Sequence, residues 1–231
     1  FVLNPRFERV AGWPVRGTVY DDFGDLHRAY ADGRVDLVYA NAADTALLVR
    51  DHGFVPVAAP QEVADEAVVV VAEDGPLKTL DGLGTHLTVA ATDAPDVERI
   101  CRILLEPADL TAADLDLVMQ RNYVLVAKAV MSGTAEVGFF LRAAYDQLSQ
   151  VIRARLRPLI SSKIYVVSHC LLAAPTIADQ VDTVLAGLQA LAADPANAAL
   201  LAALAAPAGW KPMTREDTEF MIDLMDALAQ Q

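Results

Sequence analysis

Along most of the chain, short apolar runs rich in β-branched residues alternate with segments whose apolar positions recur at helical spacing. Residues 15–20 precede a helical pattern at 23–31, 35–39 precede 42–51, 87–91 precede 97–105, 115–119 precede 124–131, and 136–139 precede 141–153. Runs that are apolar at nearly every position suit a sheet covered on both faces, and a strand that feeds a helix each time is the mark of βαβ units. The pattern predicts an α/β fold on largely parallel sheets. Each strand is followed within a few residues by its helix, so strand ends and helix N-termini gather along one rim, where such sheets bind their ligands.

Two extended stretches, 66–72 and 163–174, interrupt the alternation, because neither leads at once into a helix of the usual spacing. They read as crossover strands. If the first carries the chain into a second lobe and the other returns it, lobe one comprises 1–68 and 170–231, and 69–169 forms an inserted lobe two. The tail from Thr176 reads as Ala-rich helix, broken at Asp194-Pro195 and again between Pro207 and Pro212. Thr214-x-x-Asp217 then forms a capping box ahead of the helically spaced Phe220, Leu224 and Leu228. Residues 1–3 read as a first strand, but 5–12 leave room for barely two helical turns before Trp13-Pro14-Val15 opens the next one.

Charge narrows the partners. The chain carries 31 acidic and 18 basic residues, a formal net charge of -13. Such a field repels phosphate backbones and anionic head groups, which argues against nucleic-acid and membrane-surface partners. No run approaches the ~20 apolar residues of a spanning helix, so the chain is expected not to be membrane-embedded. Its 54% apolar content over 231 residues supports a sizeable core. Cys101 and Cys170 are too few and too far apart for a disulfide framework or a metal knuckle.

Catalytic signatures are missing from the sequence. There is no G-x-x-x-x-G-K-[ST] loop, no G-x-G-x-x-G after a strand and no G-x-S-x-G elbow, and His27, His52, His86 and His169 show no i, i+4 pairing. Nucleotide-binding, metallohydrolase and α/β-hydrolase readings all lose their warrant, and no catalytic residue, cofactor or metal is expected. The scattered acids, such as Asp21, Asp22 and Asp25 or Asp217, Glu219 and Asp223, are spaced as solvated faces.

The stretch from Gly33 through Arg34-Val35-Asp36-Leu37-Val38-Tyr39-Ala40-Asn41 to Ala42 resembles the "G-x-V-D-hydrophobic" strand and helix start of type II periplasmic binding proteins, in particular their phosphate/phosphite/phosphonate-binding (PhnD-like) group. Further similarities follow in order. Residues 65–71 lie where that family has its first hinge strand, Leu80-Asp81-Gly82-Leu83-Gly84 is similar to its "s-L-x-D-L-k-G" turn, and Leu87-Thr88-Val89-Ala90 to the next strand. Residues 128–138 resemble "A-V-x-x-G-x-x-D-x-G" with Glu136 in place of the aspartate, and 191–195 with Gly209-Trp210 resemble the closing helices. The resemblance implies two lobes, two mixed sheets joined by two hinge strands, and a clamp in the periplasm or another extracytoplasmic space. That clamp would close over a small polar ligand or oxyanion, phosphate- or phosphonate-like, for an ABC permease or a membrane sensor kinase. Enzymes of lyase type on the same scaffold and metalloid-sensing binding proteins are the alternatives. The effector half of a transcription regulator would need a helix-turn-helix, and none is visible.

Within that frame the candidate ligand residues lie at strand-to-helix junctions. On lobe one these are Tyr39 and Asn41, and, at the equivalent earlier junction, Tyr20 and Asp21; Asn4 has less support. On lobe two the resemblance places Thr92 and Asp93 at the anion turn, and Arg121, Asn122 and Tyr123 at the next junction. The family's Ser/Thr-rich turn is replaced here by Thr92-Asp93-Ala94-Pro95-Asp96, in which Pro95 removes an amide donor and two aspartates oppose an anion, with Asp93 a candidate N-cap. An arginine at 121 would supply the missing countercharge, or else lie on the surface. Phe139, Phe140 and Arg142 follow a third junction, where the aromatics either wall a pocket or fill the core. His169 and Cys170 sit on the second hinge strand, where alternation lets only one of them face a ligand. A thiol there would suit a soft metalloid, but a cysteine in an apolar strand is first a small buried hydrophobe, and Cys101 has the same reading.

Overall fold

The computed structural model describes Glu8, Gly12, residues 14–20 and residues 23–229. The strand expected at 1–3 and the candidates Asn4 and Asp21 lie outside these residues. In chain order the elements are α1 (Phe23–Ala31), β1 (Leu37–Ala40), α2 (Ala42–Asp51), β2 (Val55–Pro60), β3 (Ala67–Ala72), β4 (Leu87–Ala91), α3 (Pro95–Leu105), β5 (Leu115–Met119) and α4 (Tyr123–Met131). There follow β6 (Val137–Leu141), α5 (Arg142–Gln147), α6 (Gln150–Arg153), β7 (Leu156–Ser161), β8 (Cys170–Ala173), α7 (Val181–Ala193), α8 (Ala198–Ala203), β9 (Trp210–Pro212) and α9 (Arg215–Ala229). They fall into two units, one of Phe1–Ala64 with Ser168–Leu224 and the other of Asp65–Val167 with Met225–Gln231.

Each unit has its own sheet, and both sheets are mixed. In unit 1 the order is β1-β8-β2-β9, with β8 antiparallel to both β1 and β2. In unit 2 the order is β5-β4-β6-β3-β7; β4 runs parallel to β5 and β6, while β3 is antiparallel to β6 and β7. β3 and β8, the strands that enter each unit after the chain changes over, run against its parallel set, as β9 also does in unit 1.

Continuous apolar runs are explained by helices on both faces. Val68 and Val70 of β3 pack with Phe140 of β6 in one cluster with Val126, Ala127 and Val130 of α4. Val69 and Phe139, one residue along, point to the other face and are equally buried. Burying each such side chain contributes about 1.5–3 kcal/mol. Gly138 lets α4 approach β6 closely: a Cβ there would lie 2.9 Å from both Phe140 Cε2 and Val130 Cγ2. At the end of α1, Gly33 takes φ 65°, a left-handed turn that glycine enters without penalty.

Several local expectations need correction. Residues 15–20 alternate like a strand but pair with none among the described residues; Val15 N–H instead donates to Glu8 Oε1 at 2.9 Å. Strands β2 and β7 are not among the expected elements; they carry Pro56, Pro60 and Pro158, and β7 tolerates Pro158 as an edge strand. Of 163–174, only Cys170–Ala173 is strand. The preceding loop is held by Glu66, whose carboxylate accepts from Ile164 N at 3.0 Å, Tyr165 N at 2.7 Å and the Ser162 hydroxyl, so its amides need no sheet partner. The helix expected over 141–153 is two short helices separated at Leu148 and Ser149, with Ser149 capping the second.

The capping box before α9 forms as the spacing predicts. Thr214 Oγ1 accepts from Asp217 N at 3.0 Å, and Asp217 Oδ2 accepts from Thr214 N at 3.2 Å and from its hydroxyl at 2.6 Å. The Thr214 hydroxyl, and then its amide, hold the Asp217 carboxyl below the usual range. Thr214→Ala is expected to cost about 1 kcal/mol, read as a melting midpoint lower by about 2–4 °C. A lowered carboxyl stabilises the fold above its ordinary range and loses that contribution as pH falls through the lowered value. The gap between the two proteins should therefore close in acid; a gap that widened would rule out the box.

Candidate functional site

In unit 2 the parallel pairing aligns the C-terminal ends of β4, β5 and β6 on one rim. Ala91 is registered with Met119, Ala90 with Val118 and Gly138, and Gln120 N–H donates to Ala91 O at 2.7 Å. The turns into α3, α4 and α5 leave from this rim, so Thr92 and Asp93, then Arg121, Asn122 and Tyr123, then Arg142 are gathered there. The convergence extends to side chains. Tyr123 is hydrogen-bonded to Thr92 and to the Leu141 backbone, and its ring stacks on Phe140 at 5.6 Å.

The individual roles differ. Asn122 caps α4, its Oδ1 accepting from Leu125 N at 3.0 Å, because an Asx side chain in extended backbone satisfies an orphan amide of the first turn. Arg121 is exposed and makes no ion pair among the described residues, which leaves its guanidinium available. Burial pushes the Tyr123 phenol up, against the opposing pull of its Thr92 and Leu141 hydrogen bonds, so the hydroxyl keeps its proton. Thr92 is buried and Asp93 is exposed. The residue that begins α3 is Ala94, which has no cap hydrogen bond, so Asp93 is not the N-cap. Phe139 and Phe140 are both fully buried in the core, whereas Arg142 pairs with Asp146 at 2.9 Å and reaches Ser161 Oγ at 3.3 Å.

Unit 1 presents a different surface. The pleat of β1 buries Val38 and Ala40 and turns Tyr39 outward, 40% exposed. Tyr39 meets His169 at 5.2 Å, just ahead of β8, and the edge of Trp210 in β9 at 5.6 Å. Trp210 is a contributor that the sequence reading did not assign to the site; its only signal was an aromatic residue in a short break between helices. Cys170 is buried, with Sγ donating to Ser168 O at 3.6 Å, and His169, just before the strand, is half-exposed.

Asn41 is committed locally. Its Oδ1 accepts from Asp44 N at 2.8 Å as the cap of α2, and its Nδ2 donates to Asp44 Oδ2 at 3.3 Å. Asp44 in turn accepts from His27 Nε2 at 2.8 Å, tying α1 to α2. Nearby, burial and then the Asp44 charge push the Tyr30 phenol up to about 12. Tyr20, half-buried at the end of an irregular segment, shares no hydrogen bond or ring contact with the other candidates among the described residues.

Among the described residues no group of three His, Cys, Asp or Glu could hold a metal ion. Nor, among them, is any single helix long and apolar enough to cross a membrane. What the rims offer is hydroxyl, amide, guanidinium and aromatic surface, suited to holding a small polar molecule.

Residues 2–218 match the family model described as ABC transporter, phosphonate, periplasmic substrate-binding protein. Among curated proteins no sequence matches significantly. Solved structures do. PhnD1 from Prochlorococcus marinus in complex with methylphosphonate shares 11% identity over 100% of this chain and 92% of its own, with a TM-score of 0.80. XAC2383 from Xanthomonas citri, bound to chloride ion, shares 18% identity over 99% of this chain and 89% of its own, at 0.73. The periplasmic aliphatic sulphonate binding protein SsuA from Escherichia coli shares 17% over 99% and 85%, at 0.68. At these identities the likeness is one of fold.

Proposed function

Since the chain belongs to the family of periplasmic substrate-binding proteins of phosphonate ABC transporters, we propose that it captures a small oxyanion of the phosphonate or sulfonate kind in the periplasm and delivers it, chemically unchanged, to an ABC permease. The observation that carries the ligand reading is the unit 2 rim, where Arg121 stands free beside the capped N-terminus of α4. A cation next to a helix N-terminus attracts a small anion even on a chain of net charge -13. On unit 1, Tyr39 with His169 and Trp210 forms an aromatic surface able to take the organic part of a small molecule. Tyr123 contributes a protonated hydroxyl. Neighbouring structures support this class, since one is in complex with methylphosphonate and another is a sulphonate binding protein.

Calorimetric titration with methylphosphonate and methanesulfonate tests it. Saturable binding is expected, without release of product. Arg121→Ala should weaken it by about 10- to 100-fold, the range of a charge-assisted hydrogen bond, and Tyr39→Ala by about 5- to 10-fold. Unaltered affinity in both variants would remove this placement of the site, and turnover of the probe would replace transport with catalysis.

A further inference from the structure

The loop between β7 and Val167 presents a side chain that does nothing for the fold. Tyr165 is 73% exposed, and among the described residues its ring meets no other ring and its hydroxyl no partner. Its backbone is nevertheless held at φ 60°, a conformation that costs a side chain of this size stability. The hold is specific: the Glu66 carboxylate accepts from Ile164 N, Tyr165 N and the Ser162 hydroxyl, and Ser162 N–H donates to Ala67 O at 2.9 Å. A strained residue that packs on nothing is kept for what it presents rather than for what it stabilises.

Strand pairing puts this loop at the border of the unit 2 rim. Ala67 is registered with Leu141 and Val68 with Ser161, so the C-terminal end of β7 lies level with that of β6, and Arg142 reaches Ser161 Oγ at 3.3 Å. β7 is an edge strand, four strand spacings or about 19 Å from β5 and the turn that carries Arg121. A small oxyanion held at Arg121 spans a fraction of that distance, so Tyr165 is a poor contact for it and a good one for something larger. An added strand is not that partner, because Pro158 and the register shift opposite Val69 and Val70 close the edge to further pairing. Recognition falls to side chains. From Gln147 to Ala178 the chain has no acid, its longest such run, although its net charge is -13. Within that run Glu73 answers Arg157 at 2.6 Å, while Lys163, two residues from Tyr165, is exposed and makes no ion pair among the described residues.

We propose that Tyr165 and Lys163 form the contact by which unit 2 docks on the ABC permease; this rests on the reading of the chain as the delivering half of a transporter. A ligand handed over unchanged from a rim must be received at that rim, so the receiving protein covers its border, where Tyr165 stands. A tyrosine ring is the kind of anchor that dominates protein interfaces, and here its backbone is fixed before contact, so little order is lost on binding. Lys163 calls for a carboxylate. The partner surface is therefore an apolar recess that takes the ring, bordered by acidic side chains that meet the acid-free edge and are repelled by the rest of this negatively charged protein.

The test pairs two measurements on the full chain: calorimetry with methylphosphonate and methanesulfonate, and the ATPase rate of the ABC permease in proteoliposomes as the protein is titrated in. Tyr165→Gly removes ring and strain together. It should leave the melting midpoint unchanged or higher and probe affinity as it was, while raising the concentration for half-maximal stimulation about 30-fold or more, the effect of losing an interface anchor. Lys163→Glu should raise that concentration by about 5- to 10-fold and reduce its dependence on salt. Tyr165→Phe should behave as the original. Stimulation by Tyr165→Gly at the original concentration overturns the docking contact, and a Lys163→Glu titration that matches the original overturns the acidic character of the partner. A parallel fall in probe affinity would make Tyr165 a ligand contact, and a midpoint lower by more than about 4 °C would make it a structural one; either overturns the proposal. The stimulation arm needs no bound probe. Failure of both probes to bind therefore rejects the oxyanion reading while the ATPase titration still decides the docking, and absence of stimulation by the unaltered protein rejects the permease as its partner.

Discussion

Replacement of Phe140 by alanine is expected to lower the stability of unit 2 by about 3–5 kcal/mol, the usual range for removing a buried phenyl ring. Phe140 is fully buried, lies opposite Val68 on β3, stacks on Tyr123 at 5.6 Å and meets the edge of Tyr145 at 5.8 Å. Little around it can collapse into the space. Gly138 on the same strand offers no side chain, and Val126 and Val130 are fixed on α4, which already touches the strand. Melting should show a midpoint lower by roughly 6–20 °C, or a unit 2 transition separated from that of unit 1. Because Tyr123 loses the surface on which it stacks, affinity for the oxyanion probe should fall as well. Phe140→Leu, which retains most of the volume, should cost far less. A Phe140→Ala protein within about 1 kcal/mol of the original would mean that this cluster is not the core of the unit.

A second large effect is expected at Glu66. Its side chain accepts from the Ser162 hydroxyl, from Ile164 N and from Tyr165 N, and Ser162 Oγ also accepts from Ala67 N at 2.9 Å. One carboxylate thus satisfies a loop that the sheet does not. Tyr165 has φ 60°, unusual for a residue with a bulky side chain, and stays there only while its surroundings hold it. Glu66→Ala should cost about 2–4 kcal/mol, since hydrogen bonds to a charged acceptor contribute about 1.5–3 kcal/mol each and do not add fully. Amide exchange at Ile164 and Tyr165 is the direct readout: protection should be lost there first. Glu66→Gln, which keeps one good acceptor oxygen, should fall between. Protection that survives in the alanine variant would show that the loop is held by something other than this side chain. The loop ends at Val167, where the chain leaves unit 2.

How much was legible beforehand follows from the range of each signal. The order of strands and helices in unit 2, the caps at Asn41 and Asn122 and the box at Thr214 and Asp217 are all local, set by residues within one turn of each other, and a sequence displays them directly. Continuous apolar strings such as Val68 to Val71 and Phe139-Phe140 announced a sheet covered on both faces, though not which aromatic served which face. Strands β2 and β7 carry prolines and a weak local preference, and form because a neighbouring strand pairs with the rest of their backbone. The alternation at 15–20 misled for the converse reason: a strand needs a partner as well as a pattern.

By itself, then, the sequence determined the α/β class, the two crossover regions and the rim on which Arg121, Asn122 and Tyr123 stand, since periodicity and capping act over a few residues. Only the tertiary structure decided that Trp210 lies against Tyr39, that Glu66 holds the loop before Val167, and that Asp96 is buried at the turn where an anion was expected. Those outcomes join positions distant along the chain or depend on what covers them, and their energies come from desolvation and packing that exist only once both sheets have closed on their helices.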